Sequence, residues 1–292
     1  MSVRVDLESM QLLVAIDAHG SLSAAARVMG ISQPAASARL RALEARYRLS
    51  LVARSARGSH LTEDGQAICA WSRAVLRESD TLEAGITALS EQRRGGVRIA
   101  ASLTIAEHLL PGWLGEMQRR LPDVHTALRV VNSADVIELV RTSQVVLGFI
   151  ETPDETTGMS TRKVGNDRLA VVVAPGHPWA RRRAPLSVSD LAGAAFVVRE
   201  PGSGTRETFR RALGHEPQVA LEAGSTSAVI GSAVSGVGPA VVSELAVRPY
   251  LASGALVDVP VALDLRRPLR AIWRADETLR PPATDLVYIA QR

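Results

Sequence analysis

The 292-residue sequence is poor in cysteine, lysine and aromatic residues, and it lacks long apolar runs. Because Cys69 is the single cysteine, the chain cannot form an internal disulfide or a thiolate metal site. No apolar run reaches the roughly 18 residues that a membrane-spanning helix requires. The N-terminus has no basic start followed by an apolar stretch, which is the pattern of a secretory signal. We therefore expect a cytoplasmic protein without membrane contact.

The positive charge of the chain is concentrated at its N-terminal end. The first 58 residues hold eight arginines and four acidic residues, an excess that equals the formal net charge of +4 of the whole chain. Lys163 is the only lysine, so nearly every positive charge is a guanidinium. A basic excess at one end is typical of proteins that contact a nucleic-acid backbone. A solvated arginine-rich surface is the alternative.

The first sixty residues show the spacing of short helices. Apolar residues recur at helical intervals up to Gly20, which ends the first helix. Ser21 then caps a second helix, Leu22 to Met29, and Ser32 caps a third with Pro34 in its first turn. Two helices joined by a glycine-containing turn predict a helix-turn-helix. An ordinary helical bundle is the alternative.

The third helix has two different faces on a helical wheel. We expect one narrow apolar stripe to face the core: Ala36, Leu40, Leu43 and Tyr47. On the other side, Gln33 and Ser37 can hydrogen-bond base edges, and Arg41 can reach a guanine or a phosphate. The segment from Leu51 to Thr62 then predicts a two-stranded wing. The predicted DNA contacts are Ser32, Gln33, Pro34, Ser37, Arg41, Arg54 and Arg57.

Several motifs in this segment resemble the LysR-type transcriptional regulators. They are Ser21–Ala26, Ile31–Ser37, Leu43-Glu44, Arg54 and Leu61–Gly65. The match is dense over residues 7–65 and continues less strictly to the C-terminus. The resemblance implies a winged helix-turn-helix (mainly α), a long linker helix, and an α/β effector domain of two subdomains with the fold of periplasmic solute-binding proteins. Arg48 stands where this family usually has a glycine after the recognition helix.

The predicted domain boundaries follow from this organisation. They are 1–62 for the DNA-binding domain, 63–94 for the linker helix and hinge, and 95–292 for the effector domain, with subdomain I at about 97–164 and 270–292 and subdomain II at about 165–269. Apolar residues of the linker recur at mixed three- and four-residue spacing, which suits a helix that pairs with a second copy. A helix docked on its own domain is the alternative. We expect a homodimer or a homotetramer.

From Val97 onward, short apolar strands alternate with helices, which predicts a parallel sheet covered by helices. Ligands of such sheets bind beyond the carboxyl ends of strands, where helices begin. Glycine N–H groups, hydroxyls and helix dipoles at these points favour an anion. A plain glycine-rich turn before a capped helix is the alternative for Gly202–Arg206. The expected effector-binding residues are Ser102, Thr104, Asn132, Ser133, Gly202, Ser203, Gly204 and Thr205.

These patterns predict a LysR-type regulator that binds double-stranded promoter DNA as a dimer or tetramer and responds to a small anionic metabolite. The resemblance also allows RNA polymerase as a partner. An α/β enzyme acting on a small anionic substrate is the alternative. However, the sequence has no nucleophile–base pair or metal-spaced cluster, so we expect no catalytic residue, metal or cofactor. A solute-binding protein is a third interpretation, which the missing export signal and the basic N-terminus oppose.

Overall fold

The computed structural model describes residues 5–55, 58–93, 96–154 and 156–292, with the backbone alone at 54, 55, 58, 84 and 87–93. The chain divides into two compact units, Met1–Glu83 and Ala84–Arg292. Within the described ranges, no helix is long and apolar enough to cross a bilayer.

The first unit has the predicted order of short helices followed by a strand pair. Its elements are α1 (Leu7–His19), α2 (Leu22–Val28), α3 (Gln33–Tyr47), β1 (Val52–Ser55), β2 (Gly58–Leu61) and the start of α4 (Glu63–Arg93). Gly20 ends α1 with a φ of 66°. The Ser21 and Ser32 hydroxyls accept hydrogen bonds from the third residue of α2 and of α3, which satisfies backbone donors at each helix start. The predicted caps are therefore confirmed.

Small residues allow the helices of the first unit to cross closely. Ala25 and Ala36 are fully buried between α2 and α3, and Leu40 and Leu43 complete the predicted stripe. The prediction for Tyr47 is wrong, because its side chain is 43% exposed. Tyr47 lies one turn beyond Leu43, past the end of the core, and its ring instead lies 5.2 Å from the Arg46 guanidinium carbon.

The long helix α4 is buried on one side only at its start. Cys69 packs in the core of the first unit, and burial raises the pKa of its thiol, so it remains a protonated packing residue. The apolar side chains that follow along the helix are exposed: Trp71, Val75, Leu82 and Ile86. The start of α4 therefore docks on its own unit, while its later apolar side chains face solvent in the single chain.

The second unit alternates strands and helices. In chain order they are β3 (Gly96–Ala101), α5 (Leu103–His108), α6 (Leu110–Arg120), β4 (His125–Val130), α7 (Ser133–Arg141), β5 (Leu147–Ile150), β6 (Met159–Val173), α8 (Val188–Ala192), β7 (Ala195–Arg199), α9 (Gly204–Leu213), β8 (Gln218–Ala223), α10 (Thr226–Val234), β9 (Ala240–Ser243), α11 (Glu244–Ala252), β10 (Val257–Val259), β11 (Arg266–Arg274) and α12 (Ala283–Ala290), with a short 3-10 helix at Pro178–Arg181.

The sheet of the second unit is mixed, with strand order β4-β3-β5-β11-β6-β9-β7-β8 and β10 beside β6. β3 is parallel to β4 and β5, and β7 is parallel to β8 and β9. β6, β10 and β11 pair with their neighbours in antiparallel fashion. The prediction of a parallel sheet is therefore wrong for these three strands, because pairing direction is decided by long-range contacts that the local sequence does not show.

Two apolar cores flank the crossing strands β6 and β11. One core packs Ile99, Phe149 and Leu286 on the β3–β5 side, and another packs Phe196 and Phe209 on the β7–β9 side. β6 and β11 pair from Arg266 opposite Arg168 to Arg274 opposite Met159 and so contribute to both halves of the sheet. The cleft between the halves consequently lies where β6 and β11 pass from one half of the sheet to the other.

Candidate DNA-binding face and effector cleft

The N-terminal end of α3 presents an exposed polar face. Ser32, Gln33 and Pro34 are exposed, and Ser37 is half-buried one turn later. The exposed Arg41 side chain lies back along the helix, where its Nε donates to the Ser37 carbonyl at 3.3 Å. Five of the predicted DNA contacts therefore lie at or near the start of one helix, on the side away from the core.

The two predicted wing contacts are described less completely. Arg54 lies on β1, opposite Ser59 on β2, but its side chain is not among the described atoms. Arg57 lies outside the described residues. The predicted wing itself is present as the antiparallel pair β1–β2.

The sequence interpretation did not identify Arg39, which ties α3 to the start of α1. Its Nη1 lies 3.2 Å from Asp6 and also pairs with Glu8. Asp6 caps α1 by accepting from the Ser9 N–H at 2.8 Å. Although burial opposes the shift, hydrogen bonds from Ser9 and the charge of Arg39 lower the pKa of the Asp6 carboxyl. The signal available in the sequence was Asp6 as a helix cap.

A buried arginine, Arg267 on β11, lies at the centre of the cleft in the second unit. Its guanidinium donates from Nε and Nη2 to Asp167 Oδ2, at 2.9 and 2.7 Å. Asp167 is the direct cross-strand partner on β6, and its other oxygen accepts from the Ser243 hydroxyl at 2.9 Å. Arg267 is 1% exposed, so both charges have lost their hydration, and the hydrogen bonds from Arg267 and Ser243 to Asp167 offset that cost.

The same guanidinium brings two predicted effector residues together. Nη2 donates to Thr104 Oγ1 at 3.2 Å, and Nη1 donates to Thr205 Oγ1 at 3.0 Å. Thr104 is in the first turn of α5 and Thr205 in the first turn of α9, so the two helix N-termini meet at Arg267. Glu151 accepts from Thr104 at 3.0 Å, and its other carboxylate oxygen lies 3.4 Å from Arg267.

The glycines of the Gly202–Gly204 loop allow backbone to approach backbone. A side chain at Gly204 would place its Cβ 2.7 Å from the Glu151 carbonyl oxygen. Gly202 has a φ of 86°, and its carbonyl accepts from the Ala134 N–H at 3.1 Å. These positions require glycine because of close contact and of backbone conformation. The loop therefore lies directly against the opposite half, with the cleft closed.

The other predicted effector residues lie around the same closure. Ser133 Oγ accepts from the Glu151 N–H at 3.3 Å, and Asn132 caps α7 by accepting from Asp135. Ser102 and Ser203 precede α5 and α9, are nearly fully buried, and make no side-chain capping bond. Within the described part of the chain, Ser102 Oγ has no hydrogen-bond partner. All eight predicted effector residues therefore lie at or next to the contact between the two halves.

The predicted set omits the charged residues Arg267, Asp167 and Glu151. Asp167 and Arg267 are separated by 100 positions in the chain and meet only because β6 and β11 pair. Residues near Glu151 belong to an apolar strand, and nothing in their spacing marks the carboxylate as buried. The local sequence therefore contained no pattern that would identify these three residues as part of the cleft.

A cavity of about 270 Å³ adjoins the Gly202 loop and extends along α7 and α9. The segment that follows β5 forms one wall and is held by Arg270, which donates to the carbonyls of Thr152 and Asp154 at 2.6 and 2.7 Å. Burial lowers the pKa of Arg270. Arg211 on α9 pairs with the Asp154 carboxylate, so both halves of the unit contribute to this wall.

Two family models match the chain. A model described as LysR substrate binding domain matches residues 90–292, and one described as a bacterial regulatory helix-turn-helix protein of the lysR family matches residues 7–66. The chain belongs to the LysR family. The predicted architecture of a winged helix-turn-helix, a long helix and an α/β effector domain is confirmed, as is the prediction of a transcriptional regulator. The alternative interpretation as an enzyme is wrong.

Individual relatives agree with this assignment. This LysR-type regulator is 41% identical over 291 residues to an uncharacterized HTH-type transcriptional regulator of Mycobacterium tuberculosis, covering 95% of this chain and 92% of the relative. Solved structures with a similar fold include CbnR complexed with its target DNA, with a TM-score of 0.60, 18% identity and 99% of each chain covered. The CcmR regulatory domain of Synechocystis in complex with 2-PG has a TM-score of 0.61 at 22% identity and covers 68% of this chain and 96% of that domain.

Proposed function

We propose that this regulator acts in the cytoplasm and binds promoter DNA with the N-terminal end of α3 in the major groove. The observation that carries this proposal is the exposed polar face of α3, opposite its buried apolar stripe. On that face Gln33 and Ser37 can hydrogen-bond base edges, and Arg41 can contact a guanine or a phosphate. The solved complex of CbnR with its target DNA supports this use of the fold.

The test compares specific with non-specific binding. Gln33→Ala or Ser37→Ala should weaken binding to a duplex from the region upstream of the chain's own gene by about 1–3 kcal/mol and leave binding to a scrambled duplex nearly unchanged. Arg54→Ala, as the control for phosphate contact, should weaken both duplexes alike and flatten the salt dependence. Equal losses on both duplexes for Gln33→Ala would contradict base contact by α3.

The proposed assembly is a homodimer or a homotetramer formed through α4. Its exposed apolar residues Leu82 and Ile86 are 65% and 59% exposed in the single chain and would be covered by a second copy. Two copies would present two α3 helices to successive major grooves. RNA polymerase is a further proposed partner, which transcription assays with purified polymerase on a bound promoter would test.

The proposed effector is a small anion that binds in the Arg267 cleft. Arg267 offers a guanidinium, Thr104 and Thr205 offer hydroxyls, and the N-terminus of α9 offers backbone N–H groups. Ser102 adds a buried hydroxyl without a partner among the described residues. The complex of the CcmR regulatory domain with 2-PG supports the choice of a small-molecule effector for this fold.

Glu151 is the group with which an anion would compete. It accepts from Thr104 and lies beside Arg267, so an anionic effector would take over both of these partners. Thermal-shift titrations with 2-PG, sulfate and small carboxylates should identify a stabilising anion, and Glu151→Gln should tighten its binding because one negative charge is removed. Weaker anion binding by Glu151→Gln would contradict this part of the proposal.

A further inference from the structure

Glu44, in the last third of α3, organises the connection from this helix to the wing. Its backbone carbonyl accepts from the N–H groups of Arg48 and Leu49. Its side-chain Oε1 accepts from the Leu51 N–H at 2.8 Å and from the Val52 N–H at 3.3 Å. One residue of the helix therefore satisfies four backbone donors between the end of α3 and the start of β1.

This connection contains a backbone conformation that needs support. Arg48 has a φ of 55° and a ψ of 40°, in the left-handed region that favours glycine. The side chain at this position makes the turn less favourable than a glycine would. The two bonds that Glu44 Oε1 accepts come from Leu51 and Val52, after the turn at Arg48, and hold the chain in its path toward β1.

Thr62, just before α4, and Gly65, in the first turn of α4, also contact the connection between α3 and β1. Thr62 Oγ1 donates to the Ser50 carbonyl at 2.6 Å, and the Thr62 N–H donates to the Leu51 carbonyl at 3.0 Å. Gly65 packs so closely that a Cβ there would lie 2.1 Å from the Leu51 oxygen. Leu51 is fully buried in the core of the first unit. The base of the wing is therefore fastened at its N–H groups by Glu44 and at its carbonyls by Thr62, the residue before α4.

We infer that Glu44 is a positioning residue for DNA recognition, whose carboxylate fixes the wing relative to α3. Its charge is directed at backbone N–H groups, so it acts through the residues that it holds. A DNA-binding domain that uses a helix and a wing needs both at a set spacing. If the wing were flexible, the entropy cost of ordering it on the DNA would offset the free energy of its contacts. Loss of this acceptor oxygen should therefore remove wing contacts while α3 remains in its groove.

The experiment is hydroxyl-radical footprinting with the full chain on a duplex from upstream of its own gene that the unchanged chain protects. Glu44→Ala should keep protection at the centre of each half-site, lose it at the flanks, and lower affinity about tenfold. Glu44→Gln keeps an acceptor oxygen at the same position and should retain the flanking protection. Glu44→Asp, whose side chain is one methylene shorter, should lose part of the flanking protection. This variant provides the test if Glu44→Ala does not fold.

A charge-matched control separates geometry from electrostatics. Asp123→Ala removes one exposed carboxylate from the second unit and should leave the footprint unchanged. Full flanking protection in Glu44→Ala and Glu44→Asp would overturn the inference. Equal loss of central and flanking protection in a folded Glu44→Asp would do so as well, because Glu44 would then support the unit as a whole and not the wing in particular.

Discussion

The α3 face and the Arg267 cluster are both polar, but they differ in exposure and in the origin of their partners. Gln33 and Arg41 are exposed, and the bonds that organise their helix join residues three or four positions apart. Arg267 is buried, and its partners Asp167 and Thr104 lie 100 and 163 positions away. The first surface can be changed residue by residue, whereas the second depends on all of its members.

The contrast has an energetic basis. Removal of an exposed polar group leaves water to replace it, so the fold changes little. Removal of one member of a buried cluster leaves the others desolvated and unpaired, which costs far more than the bond itself. Stability and function should therefore separate at the α3 face and be coupled in the cleft.

The largest expected effect comes from Arg267. Arg267→Leu leaves the buried carboxylates of Asp167 and Glu151 without a counter-ion, which should lower the free energy of unfolding by about 3–5 kcal/mol. Urea unfolding followed by fluorescence measures this loss. Arg266→Ala is the matched control, because Arg266 is the neighbouring residue on β11 and its pair with Asp264 is exposed. Similar losses in both variants would contradict the contrast between the two surfaces.

Assembly should respond next. Leu82→Glu places a charge among the exposed apolar side chains of α4, so it should shift the protein toward monomer and lower affinity for a two-half-site duplex about a hundredfold. Light scattering measures the mass and a gel shift the affinity. Gln66→Glu adds the same charge to an exposed position at the start of α4 and should keep the wild-type mass. An unchanged oligomer for Leu82→Glu would exclude α4 from the interface.

The effector response tests whether the cleft is more than a structural cluster. Thr104→Val and Ser203→Ala remove hydroxyls that a bound anion would use, so each should weaken binding of a stabilising anion by about tenfold. DNA binding without effector should remain near that of the unchanged chain. Ser227→Ala, in the first turn of another helix that follows a strand, is the control. Unchanged anion affinity in Thr104→Val and Ser203→Ala would show that the anion does not bind in this cleft.

The smallest effect concerns Arg48. Arg48→Gly relieves a left-handed residue, and after the entropy cost of glycine the chain should gain about 0.5 kcal/mol of stability. Arg46→Gly, inside α3, should instead lose about 1 kcal/mol. Thermal unfolding of both variants measures whether each substitution raises or lowers stability. A loss in Arg48→Gly would mean that the Arg48 side chain contributes more than its conformation costs.

Local chemistry determined most of the first unit. Ser21, Gly20 and Ser32 set the ends of helices because their side chains or conformations satisfy backbone groups within a few residues. The same is true of the buried stripe of α3, since helical period alone brings Ala36, Leu40 and Leu43 to one side. Tyr47 followed that period too, but the core had already ended.

The tertiary structure alone decided the cleft. Sequence patterns marked Thr104 and Thr205 because each lies in the first turn of a helix, but they gave no reason to expect Arg267 between them. Long-range strand pairing of β6 with β11 brought Arg267 to Asp167, and the glycines of the Gly202–Gly204 loop brought α9 against Glu151. A buried charge is stable only where distant partners surround it, and pairing over 100 positions leaves no periodic trace in the sequence.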